Sequence, residues 1–143
     1  SKMKGILYIY LICHSKKNIK THTYIGCVED FKSRLKQHNG LLSGGPRITK
    51  KAAGDWEPVL LLKVNKEDNV NVKAIKSEWK QSSRGLESRI KKGFLLGSKY
   101  KLQVLIKKKY NSTIPVLNVL QDKWEQNRIC MDKQTWQKLI NGD

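Results

Sequence analysis

The chain has 143 residues, with 29 lysines and arginines against 12 aspartates and glutamates, and a formal net charge of +17. This is about one domain, and no apolar run reaches the roughly 18–20 residues of a membrane-spanning helix. The cysteines Cys13, Cys27 and Cys130 form no CxxC pair, which argues against a disulfide framework or a zinc site and for an intracellular, reducing compartment. The charge favours DNA or RNA as partner over a membrane, because the tryptophans do not line a basic amphipathic helix.

The first 27 residues predict two strands joined by a polar loop. Residues 5–13 (GILYIYLIC) are β-branched and aromatic, which is typical of a largely buried strand. Residues 22–27 (HTYIGC) predict a shorter strand that Gly26 stops. We expect the two strands to pair as an antiparallel hairpin with a long loop.

A helix, a loop and a third strand follow. Asp30 predicts the N-cap of a helix with the sequence FKSRLKQHN, and Phe31 and Leu35 form its inward stripe. Residues 40–55 contain four glycines and a proline and predict a loop. The strand WEPVLLLKV comes next, and its run of three leucines suits a strand that is covered on both faces.

The second half of the chain predicts mainly helices. Asn69 predicts the cap of a helix, VNVKAIKSEWKQ, whose core stripe is Val72, Ile75 and Trp79. Residues 82–98 are interrupted by glycines, residues 100–110 are helical or extended, and Asp132 begins a C-terminal helix. The result is an α+β fold with a small, three-stranded, mainly antiparallel sheet flanked by helices. We expect a core over residues 1–84 and a helical extension over residues 85–143, packed on the same domain.

Five side chains border the same small predicted core. Arg34 and His38 lie four residues apart on one helix face, Glu78 adjoins the stripe of the second helix, and Tyr10 and Tyr24 lie on the strands. Such a set suits phosphodiester hydrolysis. An arginine fork matches phosphate oxygens, one carboxylate with waters can hold Mg²⁺, and tyrosine or histidine can position or deprotonate the attacking water.

The order of these residues resembles the GIY-YIG nuclease superfamily, with Tyr8 in place of the first glycine of the name. The chain is most similar to the structure-specific endonuclease subunits that cut branched DNA and Holliday junctions with a scaffold protein. It lacks their cysteine-rich zinc module, so we expect no zinc and leave dependence on a protein partner open. The likeness covers roughly residues 5–81 and is carried by five motifs in order: TYIG (23–26), RLKQHNG (34–40), GGPRITKK (44–51), DWEPVLLL (55–62) and AIKSEWKQ (74–81).

The resemblance implies a role for each of the five residues. Tyr10 and Tyr24 would bind or activate the nucleophilic water, and Arg34 would hold the scissile phosphate. His38 would be a secondary phosphate or proton-transfer residue, and Glu78 would ligate one divalent cation, Mg²⁺ or Mn²⁺. The expected activity is metal-dependent endonucleolytic hydrolysis of DNA, preferring branched or flapped substrates, in repair, recombination or replication.

Further basic residues are expected to contact DNA phosphates, although a solvated loop or face would explain them too. They are Arg47, Lys50 and Lys51 in the glycine-rich loop, and Lys107 and Lys108 in a later basic run. Asn118 is a further candidate for a position near the metal. Two other functions stay open: a sequence-specific endonuclease of the homing or restriction kind, and an inactive basic nucleic-acid-binding module. The general base, the natural substrate and the oligomeric state also stay open.

Overall fold

The computed structural model describes residues 5–14, 22–29, 31–41, 44, 56–111, 128–132, 134–135 and 138. Within these ranges the strands are β1 (Ile6–His14), β2 (Thr23–Val28), β3 (Trp56–Asn65), β4 (Gln103–Lys107) and β5 (Arg128–Met131). The helices are α1 (Phe31–His38), α2 (Val72–Gln81), α3 (Leu86–Lys99) and the short α4 (Lys108–Asn111). None of the helices in this part of the chain is both long and apolar enough to cross a membrane. Asp30, Arg47, Lys50, Lys51 and Asn118 lie outside the described residues.

All five strands form one sheet in the order β2-β1-β3-β4-β5. The first four pair antiparallel, and β5 pairs parallel to β4. The predicted α+β class and the β1–β2 hairpin are confirmed, but the predicted three-stranded sheet is wrong. Residues 103–107 form β4 because the short apolar run at its centre is buried against β3. Periodicity alone does not distinguish so short a buried strand from a helix. The region predicted to be a helical extension therefore contributes two strands.

The sheet is covered on both faces. On one face, here called the helical face, α2 and α3 pack over a core that includes Ile9, Leu60 and Leu62. On the other, here called the tyrosine face, α1 contributes Leu35. The predicted burial of residues 60–62 on both faces is confirmed, since all three leucines are fully buried. The buried residues of the tyrosine face are Tyr8, Tyr10, Ile12, Trp56, Leu61 and Leu105.

The start of α2 differs from the prediction. Asn71 is the N-cap, and its side chain accepts a hydrogen bond from the Ala74 N–H at 3.1 Å. Asn69 lies in the left-handed region, with φ of 52°, and ends a 3₁₀ turn over Lys66–Asp68. The predicted core stripe is confirmed, because Ile75 and Trp79 are fully buried and Val72 packs against them. Asparagine is favoured both at helix caps and in the left-handed region, so its presence alone did not locate the cap.

Two glycines that predicted helix breaks instead lie inside the continuous helix α3. A Cβ atom on Gly93 would stand 2.9 Å from Trp79 Cζ2, and one on Gly97 would overlap the Val104 side chain. The glycines therefore let α3 approach α2 and the sheet closely, and this packing outweighs a propensity cost of about 1 kcal/mol each. The helix predicted from Asp132 is confirmed where it is described, and the Asp132 carboxylate accepts from the Thr135 N–H at 2.7 Å.

Candidate active site

The two tyrosines of the hairpin lie side by side on the tyrosine face. Strand pairing places Tyr10 opposite Gly26 and Tyr24 opposite Ile12. The two rings are 6.2 Å apart between centroids, with 38° between their planes. Tyr10 is buried and Tyr24 is only partly buried. The partly exposed Tyr24 is therefore the tyrosine that a substrate can reach first.

Gly26, the glycine of the YIG motif, makes room for Tyr10. A Cβ atom at position 26 would stand 2.5 Å from Tyr10 Oη and 2.6 Å from Tyr10 Cζ. Both separations are far below a normal van der Waals contact. The Tyr10 ring can lie across the neighbouring strand only because residue 26 has no side chain.

Helix α1 adds His38 to the tyrosine pair. His38 Nε2 lies 2.8 Å from Tyr10 Oη, which is a hydrogen bond between buried groups. The His38 ring centroid is 4.9 Å from that of Tyr24 and 6.5 Å from that of Trp56. Three of the five predicted site residues, Tyr10, Tyr24 and His38, therefore meet in one cluster.

Arg34 lies one turn before His38 on α1 and is partly exposed. Its charge acts on the pKa of Tyr10, Tyr24 and His38, which places the guanidinium beside the cluster. No hydrogen bond or ion pair within the described ranges occupies it. The guanidinium can therefore meet an incoming phosphate.

Burial sets the protonation states of the cluster. It raises the pKa of Tyr10, an effect that the neighbouring Tyr24 reinforces and Arg34 opposes. It raises the pKa of Tyr24 as well, again against Arg34. Burial first and the Arg34 charge second lower the pKa of His38 to about 4. All three groups are uncharged at neutral pH, so an unprotonated imidazole nitrogen is the proton acceptor among them.

The lowered pKa of His38 predicts a pH-dependent stability. The unfolded chain takes up the proton near the ordinary pKa of 6.5, whereas the native protein takes it up only near pH 4. Stability should therefore fall by up to about 3 kcal/mol as the pH drops from 6.5 to 4. Urea unfolding at several pH values measures this loss.

Two histidine variants control for other titrating groups. His38→Gln keeps a hydrogen-bonding side chain beside Tyr10 but cannot titrate, so its unfolding free energy should change less over the same range. His22→Gln, at a partly exposed position, should follow the wild type. An unchanged pH slope in His38→Gln would contradict the assignment.

Glu78 faces away from the tyrosine cluster. Its carboxylate accepts hydrogen bonds from Lys99 Nζ at 3.1 Å and from the Tyr100 hydroxyl at 2.9 Å, and it pairs with Lys92 Nζ at 3.2 Å. Lys99 and then Tyr100 hold the pKa of Glu78 below its ordinary value. Lys80, on the opposite side of the buried α2 stripe, is the residue that reaches Tyr24. The structure thus separates Glu78 from the other four predicted site residues.

The described residues do not present a metal-ligand cluster. No group of three or more histidine, cysteine, aspartate or glutamate side chains in these ranges could hold a metal ion. One carboxylate with several waters can suffice for Mg²⁺. At Glu78, however, two ammonium groups already occupy the place that a cation would take.

The end of α1 is locked onto strand β3 by Asn39. The Asn39 amide donates to the Trp56 carbonyl at 3.0 Å, and its oxygen accepts from the Trp56 N–H at 2.7 Å. Gly40, with φ of 76°, and Leu41 close the helix by bonding back to the Gln37 and Lys36 carbonyls. This arrangement fixes the end of α1, and with it His38, against the sheet.

Loss of the Asn39 lock should destabilise the protein. Asn39→Ala removes two partly buried hydrogen bonds, so we expect a loss of about 1–3 kcal/mol in urea unfolding. Asn39→Asp still accepts from the Trp56 N–H but cannot donate to the carbonyl. Its unfolding free energy should therefore lie between those of the wild type and Asn39→Ala. The control Asn65→Ala removes an exposed asparagine without a cap bond and should stay within about 0.5 kcal/mol of wild type. Equal stability of Asn39→Ala and Asn65→Ala would contradict the lock.

The predicted DNA-binding lysines of the later basic run have different surroundings. Lys107 pairs with the Glu57 carboxylate at 3.6 Å, and Lys109 pairs with it at 3.2 Å. Lys108 is exposed and takes part in no ion pair within the described residues. DNA contact by Lys107 and Lys108 stays a prediction, as it does for Arg47, Lys50 and Lys51 outside the described ranges.

Three neighbours of the site had no predicted functional role. Asn39 stands inside the RLKQHNG motif, but its hydrogen bonds are to the backbone of Trp56 on strand β3, which the motif alone does not reveal. Trp56 is a core residue of the tyrosine face, and it also flanks His38. Lys80 belongs to a series of lysines on α2, and their helical spacing could have indicated that Lys80 has a functional role.

The chain matches the family model of the GIY-YIG catalytic domain over residues 6–92, more than half of its length. No curated protein matches it significantly. The matched segment runs from β1 into α3 and includes the tyrosine cluster, Arg34 and Glu78. The chain belongs to the GIY-YIG family of nucleases.

Proposed function

We propose that this protein is a metal-dependent endonuclease that hydrolyses phosphodiester bonds of branched or flapped DNA, in repair, recombination or replication. A GIY-YIG domain indicates an endonuclease that acts on DNA, which is the general part of the proposal. The observation that carries it is the cluster of Tyr10, Tyr24 and His38 beside an available Arg34.

Arg34 is proposed to bind the scissile phosphate. The transition state of hydrolysis carries more negative charge on the phosphoryl oxygens than the ground state does. A permanently charged, forked guanidinium held beside the site stabilises that charge without reorganisation. The partial exposure of Arg34 and its lack of a carboxylate partner within the described ranges support this role.

Tyr10 and His38 are proposed to take the proton of the attacking water. Because the pKa of Tyr10 is raised, its phenol is a poor base by itself. In the tautomer with the proton on Nδ1, His38 Nε2 accepts from Tyr10 O–H, and Tyr10 Oη can accept from a water. As the water oxygen attacks phosphorus, its proton passes to Tyr10 Oη and the Tyr10 proton passes to His38 Nε2. The bond to the 3′ oxygen breaks, this oxygen takes a proton from solvent, and the products carry a 5′-phosphate and a 3′-hydroxyl.

The proposal includes a divalent cation only because nucleases of this family generally use one. GIY-YIG nucleases generally use divalent metal ions, and the resemblance to the family implies the ligand role for Glu78. As described, the Glu78 carboxylate fits a cation only after Lys92 and Lys99 are displaced. No step of the proposed reaction is therefore derived through the metal.

Preference for branched DNA rests on the ordered motifs of the sequence. The Asn39–Trp56 bonds tie the RLKQHNG motif to the WE motif, so these motifs act as one structural unit. The net charge of +17 supports sequence-independent affinity for DNA phosphates.

A cleavage assay on end-labelled DNA tests the proposal. Single-stranded, duplex, 5′-flap, fork and four-way-junction substrates would be incubated with Mg²⁺, Mn²⁺ or EDTA. We expect metal-dependent cuts near branch points that are lost in Arg34→Ala and Glu78→Ala. Cuts at one duplex sequence, independent of branching, would instead identify a sequence-specific endonuclease. Tight binding of every substrate without cleavage in either metal would favour an inactive binding module.

A further inference from the structure

Helix α2 carries a row of lysines that the proposed reaction does not use. Lys73, Lys76 and Lys80 follow at i, i+3 and i+7, so they lie along one side of the helix. This row, here called the lysine stripe, flanks the buried stripe of Ile75 and Trp79. Glu78 lies on the other flank, where it meets α3 and Tyr100.

The lysine stripe ends at the candidate active site. Helix α2 packs against β2, the edge strand that carries Tyr24. Lys80 Nζ lies over the Tyr24 ring, 5.7 Å from its centroid. Partial burial and the nearby charges of Lys76 and Arg89 lower the pKa of Lys80. Tyr24 therefore has one cation from α2, Lys80, over its ring and is also influenced by a cation from α1, Arg34.

The lysines of the stripe lack carboxylate partners, as Lys101 and Lys108 do among the described residues, but the stripe gathers three such lysines along one side of a single helix. Within the described residues none of its three members forms an ion pair. In the same part of the chain six lysines do pair with glutamates: Lys66, Lys91, Lys92, Lys99, Lys107 and Lys109. Like charges gathered without a counter-charge favour an anionic partner.

We propose that the lysine stripe binds the phosphate backbone of one DNA strand and leads it to Tyr24, so that the scissile phosphate lies between Lys80 and Arg34. The inference rests on the proposed function for the identity of the nucleic acid. Seven residues of α-helix span about 10 Å. One strand of duplex DNA carries one phosphate per about 3.4 Å of duplex axis, so a stripe of this length that runs along the axis faces about three phosphates of that strand.

A salt titration with a matched charge control tests the stripe. Binding of a fluorescein-labelled 5′-flap DNA would be measured by anisotropy in EDTA between 50 and 200 mM salt. The stripe variant is Lys73→Gln/Lys76→Gln/Lys80→Gln. The control variant, Lys66→Gln/Lys91→Gln/Lys101→Gln, removes the same charge from positions outside the stripe.

The stripe variant should reduce the slope of log K against log salt by about 2–3, because each phosphate contact contributes about 0.9. Over this fourfold rise in salt, each stripe contact should cost the wild type about 3-fold in affinity. The variant, which lacks these contacts, should not show this loss. The control variant should change the slope by less than about 1. Equal slope changes in the two variants would overturn the inference, because net charge alone would then explain them.

Binding in EDTA separates this inference from the proposed function. If the salt slope depends on the stripe but the protein cuts no substrate, DNA binding by the stripe is supported and the proposed nuclease activity is rejected. Normal cleavage with no stripe effect would reject the stripe alone. No binding by the wild type at 50 mM salt would overturn both. Lys80→Arg, which keeps the charge beside Tyr24, should restore most of the affinity lost in Lys80→Gln.

Discussion

Arg34→Ala should slow single-turnover DNA cleavage about 10²–10³-fold, the cost typical of removing one preorganised group that stabilises transition-state charge. The guanidinium lies beside the tyrosine cluster and no described carboxylate holds it. Arg34→Lys should recover part of the rate, because it keeps the charge but loses the planar fork. Rapid-quench cleavage of a labelled flap substrate would measure both variants.

Two controls separate this effect from misfolding and from weak binding. Affinity for the same DNA in EDTA should change only a few-fold, because one phosphate contact among many is lost. The pKa of His38, followed by NMR, should rise in Arg34→Ala, since the guanidinium is one cause of its low value. Cleavage within about threefold of wild type would show that Arg34 does not act on the reacting phosphate.

Gly26→Ala should cost both stability and activity. The new methyl group would stand 2.5 Å from Tyr10 Oη, so the Tyr10 ring must shift from the position in which it bonds His38. Overpacking of this kind costs about 1–3 kcal/mol of unfolding free energy. A displacement of about 1 Å in a catalytic group can cost about 10²-fold in rate. Urea unfolding and single-turnover cleavage would measure the two losses.

The neighbouring residue supplies the control for Gly26→Ala. Cys27→Ala changes a partly buried side chain on the same strand without adding an atom near Tyr10. It should keep nearly the wild-type rate. If Gly26→Ala and Cys27→Ala cleave equally well, the close approach of Tyr10 to β2 has no part in catalysis.

The sequence predicted the elements whose patterns are local. The β-branched run of β1 and the i, i+4 spacing of α1 each specify an element without long-range information. The predicted stop of the second strand at Gly26 is wrong, because β2 continues through Gly26 to Val28, paired with β1. The motif order also led to the family and to Tyr10, Tyr24 and His38, which the fold brings together. Local patterns failed where one residue type serves two conformations, as Asn69 does, or where tertiary packing overrides propensity, as at Gly93 and Gly97.

The motif order and local patterns of the sequence were enough to predict the family, the α+β class, the basic charge and the residue types of the site. Which of these residues meet depends on how the strands and helices pack. Pairing of β1 with β2 sets Tyr10 over Gly26, and the Asn39–Trp56 bonds fix the end of α1 against β3. The rotation of α2 turns Lys80 to Tyr24 and Glu78 to α3. The rotation of α2 about its axis is set by the apolar stripe that it buries against the sheet. Glu78 and Lys80 are two residues apart, so their side chains point in almost opposite directions from the helix.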